Sequence, residues 1–240
     1  MKKLYLSLIF TVISFSAFAQ DTIYMDNKYQ ELDNKKNAEY FKIITPTPDE
    51  DYEFLRTLHY LDGQIKSKET YDLENDKEIN EGEHTYWYDT GELFYNIDFK
   101  NGKKHGDLIA YWKNGNKRRH DVFKRDQFKN GKVWNQDGKE IEHFNYFIRP
   151  EFPGGLATLS KYIKLNIQMP SEHNSTHRVV VNFTVDTDGS IIDIKIKEDA
   201  PSKYTAEAYR VIKEMPKWKP AKRFGEIIKI SYSLPLVFQK

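Results

Sequence analysis

The sequence contains no cysteine. That excludes disulfides, thiolate metal sites, thiol nucleophiles and an N-terminal lipid-modified cysteine, so any core must hold by packing alone. A surplus of either charge is also missing: 37 Lys and Arg stand against 36 Asp and Glu, a formal net charge of +1. This balance gives no electrostatic pull toward nucleic acid or an anionic membrane. The apolar run that opens at Leu4 is about 16 residues and includes Ser and Thr, short of the ~20 needed to span a bilayer. With Lys2 and Lys3 before it and Ala17, Phe18 and Ala19 behind it, Met1–Ala19 reads as a secretory signal cleaved before Gln20. An uncleaved N-terminal anchor is the alternative.

Groupings with catalytic or metal-binding chemistry are likewise missing. His173 and His177 have the spacing of a helical ligand pair, but Pro170, Ser171, Asn174 and Ser175 around them indicate a loop, where that spacing carries no meaning. Gly154 and Gly155 follow Pro153 without the strand that a phosphate-binding turn requires, and read as punctuation before a helix. No Ser, His and acid grouping stands out. The sequence therefore predicts no catalytic residue, no metal and no cofactor, and no enzyme.

What the chain does have is aromatic residues, 16 Tyr and 15 Phe among them, and this favours β structure. Tyr40–Ile44 is expected to pair as a strand with Tyr52–Tyr60 across the TPTPDED turn at 45–51. From there to Ile141 the chain repeats. An aromatic or His precedes a glycine by four in His59–Gly63, Trp87–Gly91, Tyr111–Gly115 and Trp134–Gly138, and three of the four glycines follow Asp or Asn. The units at 81–93 and 105–117 superpose with a period of 24. Asn-Gly pairs at Asn101 and Asn130 are expected to mark turns on the opposite edge. A meandering single-layer antiparallel sheet follows.

Tyr86, Tyr88, Tyr95, Phe99, Tyr111, Phe123 and Phe128 interleave there with Lys103, Lys104, Lys113, Lys117, Arg118 and Arg119. These are either a contact surface or cross-strand packing, and the second is the plainer expectation. The run KRRHDVFKR at 117–125 has Asp107, Asp121 and Asp126 close by and reads as a solvated edge rather than an anion site.

Between 144 and 240 the hydrophobic period switches. Leu156–Leu165 is expected to form a helix burying Leu156, Leu159, Ile163 and Ile167. Val179, Val181, Phe183 and Val185 share one strand face, and after a turn at Asp186–Ser190 so do Ile192, Ile194 and Ile196. Ala208, Val211, Ile212 and Met215 recur at helical spacing up to Pro216, and Ile228, Ile230, Tyr232 and Leu234 form a third strand. Trp218 between two prolines reads as a core plug rather than a contact residue. The expected fold class is α+β: a repetitive β-hairpin sheet over 20–143, then a three-stranded antiparallel sheet packed on two helices over 144–240.

The order VVVNFTVDTDGSI, AEAYRVIKEMPKWKPA, a turn at Gly225 and IKISYSLPLVF resembles the C-terminal domain of TonB, the periplasmic energy transducer of Gram-negative bacteria. The earlier units resemble degenerate MORN-type repeats of bacterial secreted and antitoxin-like proteins. The TonB resemblance implies a periplasmic protein whose partner is a TonB-dependent outer-membrane receptor. The receptor would add a strand along Lys229, Ile230, Ser231, Tyr232 and Ser233, with Lys229, Ser231 and Ser233 facing away from the core. Energy-coupled nutrient uptake is the implied role. Two alternatives stand beside it: an adaptor whose repeat sheet binds a protein or glycan, and a homodimer in which the edge pairs with itself.

Overall fold

The computed structural model describes residues 22–47, 51–170, 175–197 and 200–239. Met1–Ala19, part of the TPTPDED turn and His173 lie outside the described residues. The chain divides into two compact units, with the division between His143 and Phe144.

The N-terminal unit is a 12-stranded antiparallel sheet. Its strands are β1 (Thr22–Met25), β2 (Glu31–Leu32), β3 (Tyr40–Pro46), β4 (Phe54–Tyr60), β5 (Ile65–Glu74) and β6 (Lys77–Asn80). They continue with β7 (Gly82–Trp87), β8 (Leu93–Lys100), β9 (Lys103–Tyr111), β10 (Lys117–Lys124), β11 (Gln127–Trp134) and β12 (Glu140–Ile141). From β7 to β12 each strand pairs with the next, and β3 pairs β4 over seven residues as the sequence indicates.

All four aromatic-to-glycine units turn at one rim with one hydrogen-bond pattern. The N–H groups of Tyr60, Tyr88, Trp112 and Asn135 donate to the carbonyls of Gln64, Glu92, Asn116 and Lys139, and the glycine three residues on donates back. Each glycine has positive φ, the conformation that such a turn requires. Neighbouring turns are fastened together. The Gln64 amide donates to the Tyr88 carbonyl, the Tyr88 hydroxyl to the Tyr111 carbonyl, and the Trp112 indole to the Trp134 carbonyl.

At the opposite rim the turns are two residues long with both residues at positive φ: Asn75–Asp76, Asn101–Gly102 and Arg125–Asp126. Asn130–Gly131 makes no turn; it lies inside β11, with Gly131 directly opposite Asp121. A side chain at 131 would strike the Asp121 carboxylate and the His120 carbonyl, so this glycine provides room rather than curvature.

The aromatics pack on neighbours. Tyr86 stacks on Tyr95 at 4.4 Å, Phe123 meets Phe128 edge-on at 6.0 Å, and Arg118 lies 4.0 Å above Trp112. The basic run at 117–125 is not a solvated edge. β10 is an interior strand, and Arg118 and Arg119 are buried in it. The Arg119 guanidinium donates to Asp121, which also bonds His143 at 2.9 Å, so the charge enters the interior already paired.

The C-terminal unit contains β13 (Phe147–Ile148), α1 (Gly155–Asn166), β14 (His177–Val185), β15 (Ile191–Ile196), α2 (Ser202–Lys213), β16 (Ala221–Arg223), β17 (Glu226–Ile228) and β18 (Ile230–Phe238). Its main sheet has the order β15-β14-β18, all antiparallel, and a second small sheet has the order β13-β16-β17. Val179, Val181, Phe183 and Val185 are fully buried against Ala208 and Ile212 of α2, Leu159 of α1, and Leu236 and Phe238. Trp218 is 3% exposed and meets Phe152, Phe183 and Tyr232 edge-on, which makes it a core residue.

Three expectations are corrected. Leu156 is 75% exposed; Phe152, before the helix, and Tyr162 fill the space assigned to it. In β15 an extra residue opposite Phe183 shifts the register at Asp193, which has positive φ, so Ile191, Ile194 and Ile196 reach the core and Ile192 does not. The third strand starts at Ile230, because Ile228 belongs to the β16–β17 hairpin and pairs with Ala221.

Candidate functional site

The segment of interest is the outer side of β18. It pairs with β14 through nine residue pairs, Val185↔Ile230 to His177↔Phe238, and on its other side with no strand among the described residues.

Which backbone groups face that vacant side follows from two observations. The carbonyl of Val180 accepts from Lys197 on the β15 side, so the even-numbered residues 180, 182 and 184 direct their main-chain groups toward β15. Their partners across β18, Pro235, Ser233 and Ser231, are therefore the non-hydrogen-bonded pairs of that ladder. Pro235 agrees independently: it has no N–H, and within a sheet proline is tolerated where that group would face outward. The rim thus offers the N–H and C=O of Ser231 and Ser233. Ile230, Tyr232 and Leu234 spend theirs on Val185, Phe183 and Val181.

Of the five residues singled out from sequence, Ile230, Ser231, Tyr232 and Ser233 lie in β18, and Lys229 occupies the break between β17 and β18. Lys229, Ser231 and Ser233 are exposed, whereas Ile230 and Tyr232 are half-buried. Tyr232 anchors the strand, with its ring 5.1 Å from Trp218 and 5.6 Å from Phe183. Sequence reasoning did not identify Pro235 as the residue that limits the rim, although alternation with Ser231 and Ser233 already placed it on the same side.

The opposite edge of the sheet, β15, is six residues long and broken by the Asp193 bulge, a device that discourages strand pairing. β18 is regular by comparison. Its support is rigid as well. The Asp186–Ser190 turn repeats the hydrogen-bond pattern of the N-terminal turns, and the Gly189 carbonyl accepts from Trp218 N–H at 2.8 Å. Lys217 reaches Asp188 at 2.6 Å, and this bond, with one from Ser190, holds the Asp188 carboxyl well below the usual range.

Elsewhere, His177 bonds Ser175 at 2.9 Å and lies tilted against Tyr204 with ring centroids 4.1 Å apart, and the described residues contain no group of three or more His, Cys, Asp or Glu able to hold a metal. Gly154 and Gly155 both have positive φ and lead into α1. No described helix is long and apolar enough to cross a membrane. Comparison with curated proteins and with solved structures returned no match. Residues 172–239 match the family model of the Gram-negative bacterial TonB protein C-terminal, so this part of the chain is similar to that domain.

Proposed function

We propose that the protein is a periplasmic TonB-like component that binds TonB-dependent outer-membrane receptors by strand addition, in energy-coupled nutrient uptake. The observation that carries this reading is the vacant side of β18, where Ser231 and Ser233 present main-chain donors and acceptors on a strand anchored by Tyr232. Main-chain pairing supplies affinity, and the exposed side chains of Lys229, Ser231 and Ser233 supply selectivity.

The test is titration of the full chain with peptides of the receptor N-terminal box. Ser231→Pro removes an N–H that faces the partner and not β14, so it weakens peptide binding at least tenfold while the fold persists. Ser231→Ala leaves binding within about twofold, since the main chain is unchanged. Equal effects of the two substitutions, or no binding at millimolar peptide, would overturn strand addition here. Delivery to the periplasm belongs to the same proposal. Retention of residues 1–19 in an inner-membrane fraction favours energy transduction, and a mature protein that begins at Gln20 in the soluble fraction favours a binding role without it.

A further inference from the structure

We propose that the two-residue-turn rim of the N-terminal sheet holds a binding site for a phosphate-bearing anion. A depression of about 440 Å³ opens there, lined by Lys100, Asn101, Lys103, His105 and Arg125. Among the described residues, none of these four basic side chains enters an ion pair or a side-chain hydrogen bond. The nearby acids are engaged by other residues or by main-chain N–H groups, Glu81 among them, which accepts from the Asn101 N–H at 2.6 Å. Asp126 accepts from the Lys104 N–H at 3.0 Å and faces its ammonium at 3.9 Å, Asp107 bonds His120 at 2.8 Å, and Asp98 accepts from the Asp107 N–H at 2.9 Å. Four basic side chains therefore share one concavity without an ion pair among the described residues, in a chain with almost no net charge.

The local sequence also works against stability at this place. Lys100 and Lys103 are direct cross-strand partners beside the Asn101–Gly102 turn, and like charges so placed repel. Arg125 has φ +52°, a left-handed conformation that Gly or Asn adopts more readily than Arg, because the Cβ crowds the carbonyl oxygen. A sequence chosen for folding alone would place an acid opposite one lysine and Asn at 125. Such departures gather where a ligand requires them. Two ammonium groups, a forked guanidinium, an imidazole and the Asn101 amide are donors suited to phosphate oxygens. Small-molecule sites occupy about 300–1,000 Å³, so the space suits a pyrophosphate or a phosphorylated headgroup rather than a monatomic ion.

This inference is independent of strand addition at β18, and its test uses different variants. The full chain is titrated calorimetrically with sodium pyrophosphate and, separately, sedimented with phosphatidylglycerol or phosphatidylcholine vesicles. Saturable pyrophosphate binding is expected, weakened at least tenfold in both Lys103→Glu and Arg125→Asn. The same two variants are expected to melt at a temperature equal to or above that of the parent, because each relieves a local conflict; a purely structural role predicts the reverse. Sedimentation with phosphatidylglycerol vesicles alone, sensitive to the same substitutions, assigns the phosphate to a lipid headgroup, and binding of pyrophosphate without it assigns a soluble ligand. Binding of neither, or binding that both variants retain, overturns the proposal.

Discussion

In the C-terminal unit seventeen apolar residues are buried, thirteen of them in one core that closes two helices on a three-stranded sheet, and no charged or imidazole side chain of this unit is buried among the described residues. In the N-terminal sheet, which is the longer unit, seven buried apolar residues share the interior with Ser67, Thr70, His84, Arg118, Arg119 and Asp121. A helix laid on a sheet removes water from both surfaces, so aliphatic side chains suffice. A single layer has no second layer to bury against. It gains stability from cross-strand rings, cations over rings and hydrogen bonds between successive turns, and it tolerates an interior charge only where a partner is adjacent. One unit is held by its core and the other by its seams.

The largest expected effect tests the paired interior charge. Asp121→Ala leaves the Arg119 guanidinium buried without its carboxylate, and chemical denaturation of the N-terminal sheet should show a loss of about 3–5 kcal/mol. Replacing both members, Arg119→Met with Asp121→Leu, should cost far less, because no charge is then stranded. A double variant as unstable as the single one would mean that the pair is more than self-compensating.

A middle-sized effect compares one turn in two settings. Gly115 and Gly189 occupy equivalent positions with φ of +84° and +85°, but an added methyl meets nothing at 115, whereas at 189 it overlaps the Trp218 carbonyl oxygen. Gly115→Ala should cost only the conformational penalty, about 1–2 kcal/mol, and Gly189→Ala clearly more, because the docking of Trp218 must shift. Thermal melting of the two variants separates a turn that faces solvent from one built into a core.

The smallest effect is a dependence on pH. Burial lowers the His84 pKa from its ordinary 6.5, outweighing the Thr70 carbonyl that accepts its Nε2 bond at 2.7 Å. The unfolded chain therefore binds a proton more readily than the folded one. The contribution of neutral His84 is fully present above about pH 6.5 and declines as pH falls below that value toward the folded pKa. Stability of the N-terminal sheet should fall through that interval in the parent and vary less in His84→Gln.

Much of this architecture was legible in the sequence because local signals and tertiary structure agreed. The period-two and period-3.6 runs at 179–185, 208–215 and 230–234 became the strands and helix that they predict, and four aromatic-to-glycine units became four turns. The vacant side of β18 was legible only as a candidate, since which strand lies at an edge is decided by pairing. Misreadings arose where one residue type serves two purposes. Asn130–Gly131 resembles a turn, but its glycine clears space for Asp121, while the actual turn uses Arg125 and Asp126, and arginine seldom adopts positive φ. A basic run resembles a wet surface until pairing shows that one of its members neutralises another two residues away.

The fastening between hairpins has a bearing on how such a chain can change over generations. Tyr88 grips the following turn by its hydroxyl and Trp112 grips the next by its indole, at spacings of 23 and 22 residues. Each joint involves only adjoining members, so duplication or excision of a whole unit recreates the same joint at the new boundary. The length of the array is thereby uncoupled from the soundness of its links, and copy number becomes something that selection can adjust without redesigning the parts.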